Sequence, residues 1–252
     1  MPKQKIRIDA LLAERGLVES RQKAQALIMA GKVLVNNEVV DKAGKAVDPD
    51  SEISIKEGLP FVSRGGVKLK GALDEFGIDA GGLVVLDIGA STGGFTDCLL
   101  KNGAGKVYAI DVGKGLLDMR LRNDPRVVVL EERNIRYFDG AGISGPVDLA
   151  VIDVSFISLE KVLPKAKELV REGGRVLALI KPQFEVGKGK VGKGGIVKDP
   201  ALHKEVIDRI RDFSSGIGFN VLGVMESPIK GAKGNTEFWI FLEAALKNRI
   251  LP

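Results

Sequence analysis

The chain has 252 residues, 44% hydrophobic and 28% charged, which fits one domain of ordinary size beside a small module and excludes disordered, collagen-like and coiled-coil classes. A formal charge of +5 mildly favours polyanionic partners such as nucleic acid. One cysteine, Cys98, one histidine, His203, and no apolar run of about 18 residues predict no intramolecular disulfide, no metal cluster and no membrane span, and point to a cytoplasmic protein.

Residues 6–17 place Ile8, Leu11 and Leu12 on one helical face and stop at Gly16. Residues 19–30 repeat the pattern with Ala24, Leu27 and Ile28, with Ser20 as N-cap and Gly31 as stop, so a helical hairpin is expected. After Gly31 the period falls to two through Val33, Val35, Val39 and Val40, then Ile53 and Ile55, and Asn36-Asn37 marks the turn of a small ribbon. Residues 1–32 hold seven lysines and arginines against three acidic residues. Arg7, Arg21, Lys23 and Lys32 are candidate phosphate contacts, the alternative being a solvated helix face. Gly58-Leu59-Pro60 reads as a linker separating residues 1–60 from 61–252, and 61–82 lead into the larger part through a short helix capped by Ser63.

From residue 83 strands and helices alternate. Strands are expected at 83–88, 106–111, 126–130, 147–153 and 175–180, with helices at 94–102, 115–121 and 159–171 between them. A helix from Pro200 to about residue 213 is followed by strands at 219–226 and 236–242, joined by a glycine-rich loop without a helix, which points to an antiparallel pair. Seven strands ending in such a pair suggest the methyltransferase variant of the doubly wound α/β sheet over the dinucleotide-dehydrogenase variant.

Ligands of open α/β sheets bind beyond the carboxyl ends of the strands, where the first strand runs into Gly89-Ala90-Ser91-Thr92-Gly93-Gly94. The glycine spacing departs from the G-x-G-x-x-G of dinucleotide sites. Asp111, closing the second strand, is placed to accept hydrogen bonds from the ribose of an adenosine ligand; a plain tight turn is the alternative. Residues 187–192 match G-x-G-x-x-G formally but no helix follows until Pro200, so 186–198 read as a mobile basic loop offering Lys188, Lys190, Lys193 and Lys198 to phosphates, or as a merely solvated one. Asp153 ends the fourth strand, Lys181 the fifth, Glu237 opens the last, and Lys68 lies on the leading helix. Each taken singly reads equally well as a rim salt bridge, but Asp153 and Lys181 follow fully apolar strands that would partly desolvate them. Cys98, Trp239 and Phe241 read as core, His203 as helix surface, and Phe156, close after Asp153, as the one aromatic candidate for base stacking.

The segments SRGGVKL (63–69), VLDIGASTGGFTD (85–97), DVSFISL (153–159), KPQFEVG (181–187) and GNTEFWIF (234–241) resemble the TlyA family, the hemolysin-A-like rRNA 2′-O-methyltransferases of the FtsJ-like superfamily. The segments IRIDALLAERGL and SRQKAQALIMAGKVLVN resemble the S-four-type RNA-binding domain. The resemblance implies a Rossmann-like, seven-stranded S-adenosylmethionine-dependent methyltransferase fold behind a small α+β RNA-binding domain, acting on cytidines of ribosomal RNA. It places the superfamily's tetrad on Lys68, Asp153, Lys181 and Glu237, and S-adenosylmethionine over 89–94 with Asp111 on its ribose and Asn134-Ile135 beside its adenine. A ribose 2′-hydroxyl is a poor nucleophile and needs a base; Lys181 serves if desolvation and a second lysine lower its affinity for a proton, with Asp153 and Glu237 orienting the partners. A non-catalytic RNA-binding or ribosome-assembly factor of the same fold is the competing reading, and a haemolysin acting on membranes a third. The target nucleotide, the ribosomal subunit and the oligomeric state stay open.

Overall fold

The computed structural model describes residues 5–55, 60–187 and 189–246; Gly58 and Leu59 of the expected linker and Lys188 lie outside the described residues. The chain forms two compact units, residues 1–60 and 61–252.

In the first unit β1 (Ile6–Arg7) leads into α1 (Ile8–Glu14), and α2 (Arg21–Met29) precedes β2 (Val33–Val35), β3 (Glu38–Val40), β4 (Ala46–Val47) and β5 (Ile53–Ile55). The helix expected from residue 6 is corrected at its start, because Ile6 and Arg7 pair antiparallel with Val47 and Ala46. The α2 cap is as expected: the Ser20 hydroxyl accepts from the Lys23 amide at 3.2 Å. Asn36 and Asn37 have φ of 50° and 68°, the left-handed pair that a two-residue hairpin turn between β2 and β3 requires. Ile8, Leu11, Leu12, Ala24, Ile28 and the inward valines of the strands close a small core. Within it the Asp9 carboxylate, fully buried, accepts from Arg7 (Nε 3.0 Å, a second guanidinium nitrogen 2.9 Å), Arg21 (3.1 Å) and Gln25 (2.9 Å).

The second unit opens with α3 (Arg64–Glu75) and continues through β6 (Val84–Ile88), α4 (Gly94–Lys101), β7 (Lys106–Ile110), α5 (Met119–Arg122), β8 (Val127–Leu130), β9 (Val147–Ile152), α6 (Leu163–Leu169), β10 (Val170–Ile180), α7 (Pro182–Glu185), α8 (Pro200–Gly216), β11 (Phe219–Glu226) and β12 (Phe238–Ala244). The sheet runs β11-β12-β10-β9-β6-β7-β8, with β12 antiparallel to both neighbours and the five strands from β10 to β8 parallel. The seven strands and the antiparallel final pair match the sequence reading.

Period-two burial divides the core. Leu86, Ile88, Tyr108, Ile110, Ile152 and Ile180 face α6 and α8, while Val85, Val107, Val151, Leu179, Trp239 and Phe241 face α3 and α4 with Cys98. Burial pushes the Cys98 thiol up to about 12, as befits a packing residue.

Two further expected helices are corrected. The stretch 115–121 is loop up to Asp118, whose side chain caps α5 by accepting from the Arg120 amide at 2.9 Å. The stretch 159–171 splits into a single 3-10 turn at 159–161 and α6, which starts at Leu163 with Pro164 in its first turn and ends at Leu169. The strand after it starts at Val170 and shifts register before Arg175, where Gly173 takes φ +66°. Ser63 occupies the N-cap position of α3, but its hydroxyl makes no capping bond.

Candidate active site at the strand ends

Because β12 runs against its neighbours, its start lies on the same rim as the ends of β6, β7, β9 and β10. Asp111, Asp153, Lys181 and Glu237 therefore converge on one edge, and α3 adds Lys68. Lys68 Nζ sits 2.6 Å from Glu237 Oε2, their side chains 10% and 2% exposed, and Lys181 Nζ sits 2.5 Å from Asp153 Oδ1, their side chains 10% and 22% exposed. The four ionisable residues thus form two ion pairs. Lys181 also donates to Ser155 Oγ at 3.0 Å, and Gln183 Nε2, two residues further on, approaches Glu237 Oε1 at 3.5 Å, linking one pair to the other. Neighbouring charges this far from water are stable only when matched, as they are here.

Beside Asp153 a cavity of about 410 Å³ is lined by Ile88, Ile110, Ile135, Val112 and Leu116, with Gly89, Ser91, Asp111, Arg133, Asn134 and residues 153–157 around them. The Asp111 carboxylate accepts from the Ser91 amide at 2.8 Å and the Gly113 amide at 2.7 Å, tying the first glycine loop to the end of β7. Each oxygen keeps a lone pair for a further donor. Asn134 accepts from the Arg136 amide at 3.1 Å and starts the turn that buries Ile135.

The rest of the glycine loop faces elsewhere. Ala90 is buried, Thr92 accepts from the Asp118 amide, a Cβ on Gly93 (φ +93°) would lie 2.3 Å from Leu121, and one on Gly94 would lie 2.2 Å from Ser63 Oγ. Those two glycines bring α4 close to its neighbours.

The cationic candidates are distributed unevenly. Arg7 and Arg21 are engaged by Asp9, Lys23 is exposed and Lys32 half-buried. Lys190 pairs with Glu205 at 2.7 Å, and Lys193 and Lys198 are exposed. The loop expected to be mobile is pinned by Asn235, 2% exposed, which accepts from the Val197 amide (3.0 Å) and donates to the Gly195 and Ala232 carbonyls (3.0 and 3.1 Å).

Sequence reasoning assigned no part to Asn235, Gln183, Ser155, Gly231 or Asp87. Gly231 is required by the site, since a Cβ there would fall 1.9 Å from Glu237 Oε1. Asp87, fully buried, accepts from Thr96 Oγ1 at 2.7 Å, and burial, then the Asp153 and Asp111 charges, raise its carboxyl to about 7. Phe156, 91% exposed with φ +63°, rests on Phe184 with ring centroids 4.8 Å apart. His203, expected on the surface, is half-buried against Phe238 and the Val197 carbonyl. No helix among the described residues is long and apolar enough to cross a membrane.

Residues 61–244 match the FtsJ-like methyltransferase family and residues 6–53 the S4 domain. The 16S/23S rRNA (cytidine-2′-O)-methyltransferase TlyA of Mycobacterium tuberculosis is 46% identical over 238 residues, 94% of this chain and 89% of that protein. The 23S rRNA (cytidine-2′-O)-methyltransferase TlyA of Campylobacter jejuni is 34% identical over 258 residues, 94% of this chain and 98% of its own. A solved structure of a candidate hemolysin from Streptococcus thermophilus superposes with TM-score 0.74 at 43% identity, covering 98% of this chain and 92% of that one. The two ion pairs, the sheet that presents them and these matches agree: the chain belongs to the FtsJ-like methyltransferase family, with an S4 domain preceding the methyltransferase domain.

Proposed function

We propose that this protein transfers the methyl group of S-adenosylmethionine to a ribose 2′-hydroxyl of ribosomal RNA, at a cytidine, in the cytoplasm where ribosomes are made. The observation that carries the reading is the two adjacent ion pairs, Lys181–Asp153 and Lys68–Glu237, with Asp153 itself lining the 410 Å³ cavity. The lining of the cavity supports this reading: Ile88, Ile110, Ile135 and Leu116 offer apolar walls for an adenine, Asp111 has acceptor capacity for ribose hydroxyls, and Asn134 would stand beside the adenine. Bound there, S-adenosylmethionine supplies an electrophilic sulfonium methyl.

The chain's own residues do the remainder. Lys181 takes the 2′-hydroxyl proton as the ribose oxygen accepts the methyl group that the cofactor's sulfonium would give up. Asp153 and Ser155 fix the direction of Lys181 Nζ, and Lys68 with Glu237 holds the hydroxyl in line. Phe156 offers its exposed ring to the target base. Residues 1–60 supply RNA affinity through Lys23, Lys32 and those faces of Arg7 and Arg21 that Asp9 leaves open, and Lys188, Lys190 and Lys193 add phosphate contacts from the second unit.

Labelled methyl transfer to isolated ribosomal subunits, followed by mapping of the nucleotide, tests the proposal. Label on a cytidine ribose is expected. Label on a base, or none with either subunit, would sink it.

A further inference from the structure

Two strand ends carry the Lys181–Asp153 pair, and the ladder between them stops short of it. Beyond the pairing of Ile152 with Ala178, the segments 153–160 and 181–185 are joined through side chains. Lys181 meets Asp153 and Ser155, the Phe184 ring meets Phe156, and the Glu185 carboxylate accepts from the Leu159 amide at 2.8 Å. Behind them Arg209, on α8, donates to the Glu185 carbonyl at 2.8 Å, lies 3.1 Å from Glu185 Oε2, and reaches Glu160 at 3.2 Å. One guanidinium therefore grips both segments.

Resting on the reading that Lys181 and Asp153 carry the chemistry, we infer that Glu185 and Arg209 are a positioning pair for methyl transfer, setting the separation of the two catalytic segments from behind. α7 is a single turn between Lys181 and Glu185, opened by Pro182, whose ring fixes its backbone, so a shift at Glu185 is passed directly to Lys181. Glu185 is 6% exposed, and a carboxylate so placed costs stability that an apolar side chain would not. What the carboxylate adds is direction: two acceptor oxygens, one taken by the backbone of the Asp153 segment and one facing Arg209. An apolar residue would fill the space and leave the segments free to slide.

Burial pushes the Glu185 carboxyl up, whereas the Leu159 amide, the Ser158 hydroxyl and Arg209 hold it down and Glu160 raises it again. Removing Arg209 therefore lets Glu185 take up a proton more readily, and the protonated acid holds Leu159 less well. The effect worsens as pH falls.

The test uses the full chain with Arg209→Ala, Arg209→Lys and Glu185→Gln. Single-turnover methyl transfer at saturating cofactor and subunits should drop about tenfold or more in Arg209→Ala, with cofactor affinity within about threefold of the parent, because a small displacement of reacting groups costs rate before binding. Arg209→Lys should restore most of the rate. The Arg209→Ala deficit should widen from about pH 8 to about pH 6, whereas that of Glu185→Gln, which cannot ionise, should not. Hydrogen exchange at the Leu159 amide should quicken in Arg209→Ala and Glu185→Gln whether or not the parent methylates RNA. A parent that transfers no methyl defeats the proposed function, while faster exchange at Leu159 still supports the pair. Parental rate and parental exchange in both variants, or a rate loss that follows cofactor affinity or melting temperature at every pH, would overturn the inference.

Discussion

Lys181 makes the sharpest claim for a single side chain. Lys181→Ala should abolish nearly all methyl transfer while cofactor and RNA affinities stay within a few-fold of the parent, checked by single-turnover kinetics and calorimetry. Lys181→Arg should not rescue, since a guanidinium keeps its proton to above about pH 12 and cannot serve as a base; an active arginine variant would reduce Lys181 to an electrostatic role. Asp87 makes the second claim. Its carboxyl is raised to about 7 against an ordinary value near 3.8, so between those values the folded chain keeps a proton that the unfolded chain has shed. Stability should therefore fall as pH rises from about 4 to about 7 and then level, by up to about 4 kcal/mol. Asp87→Asn should remove that slope in denaturant titrations, and an identical slope in both proteins would refute it. The four charged residues on the rim were legible in the sequence because each sits at the end of an apolar strand or inside a motif. Gln183, Gly231 and Asn235 were not, because their partners lie 54, 6 and 38 to 40 residues away and no residue type announces such a meeting.

Among elements, the strands of the second unit were the easiest to read, since burial on both faces leaves continuous apolar runs bounded by glycine or charge. Short connections were the hardest. Asp118 and Pro164 each moved a helix start that hydrophobic spacing alone put elsewhere. The helical hairpin of the first unit was also legible, but one use of its charges was not: Arg7 and Arg21, read as phosphate contacts, also pair with Asp9. That buried carboxylate is held well below the usual carboxylate range, by Arg7 first and then by Gln25 and Arg21, against the opposing effect of burial. Its contribution is complete above about pH 5, where an unfolded aspartate is ionised, and is lost progressively as pH falls towards its depressed value. Asp9→Ala should destabilise the first unit by about 2 kcal/mol or more at neutral pH, because two guanidinium groups and an amide lose their shared acceptor. Thermal unfolding of residues 1–60 checks this, and an unchanged midpoint would contradict it. Arg21→Ala likewise should cost stability as well as RNA affinity, so Lys23→Ala is the cleaner probe of phosphate contact.

For the whole molecule, the proposed division of labour between the units has a direct consequence. A chain starting at Phe61 should bind S-adenosylmethionine as the full chain does yet methylate subunits poorly, and its RNA affinity should depend less steeply on salt because the phosphate contacts of the first unit are gone. Full-rate methylation by that shorter chain would show that residues 1–60 do something else. The route of the sheet also gives the site an order in time. Lys68 and Glu237 are 169 residues apart, and β12 lies between β10 and β11, so β11 has no place in the sheet until β12 has arrived. All residues lining the 410 Å³ cavity lie between 88 and 157. As the chain leaves the ribosome the residues that line the cavity have all emerged about eighty residues before Glu237, so the Lys68–Glu237 pair is completed only with the final strand.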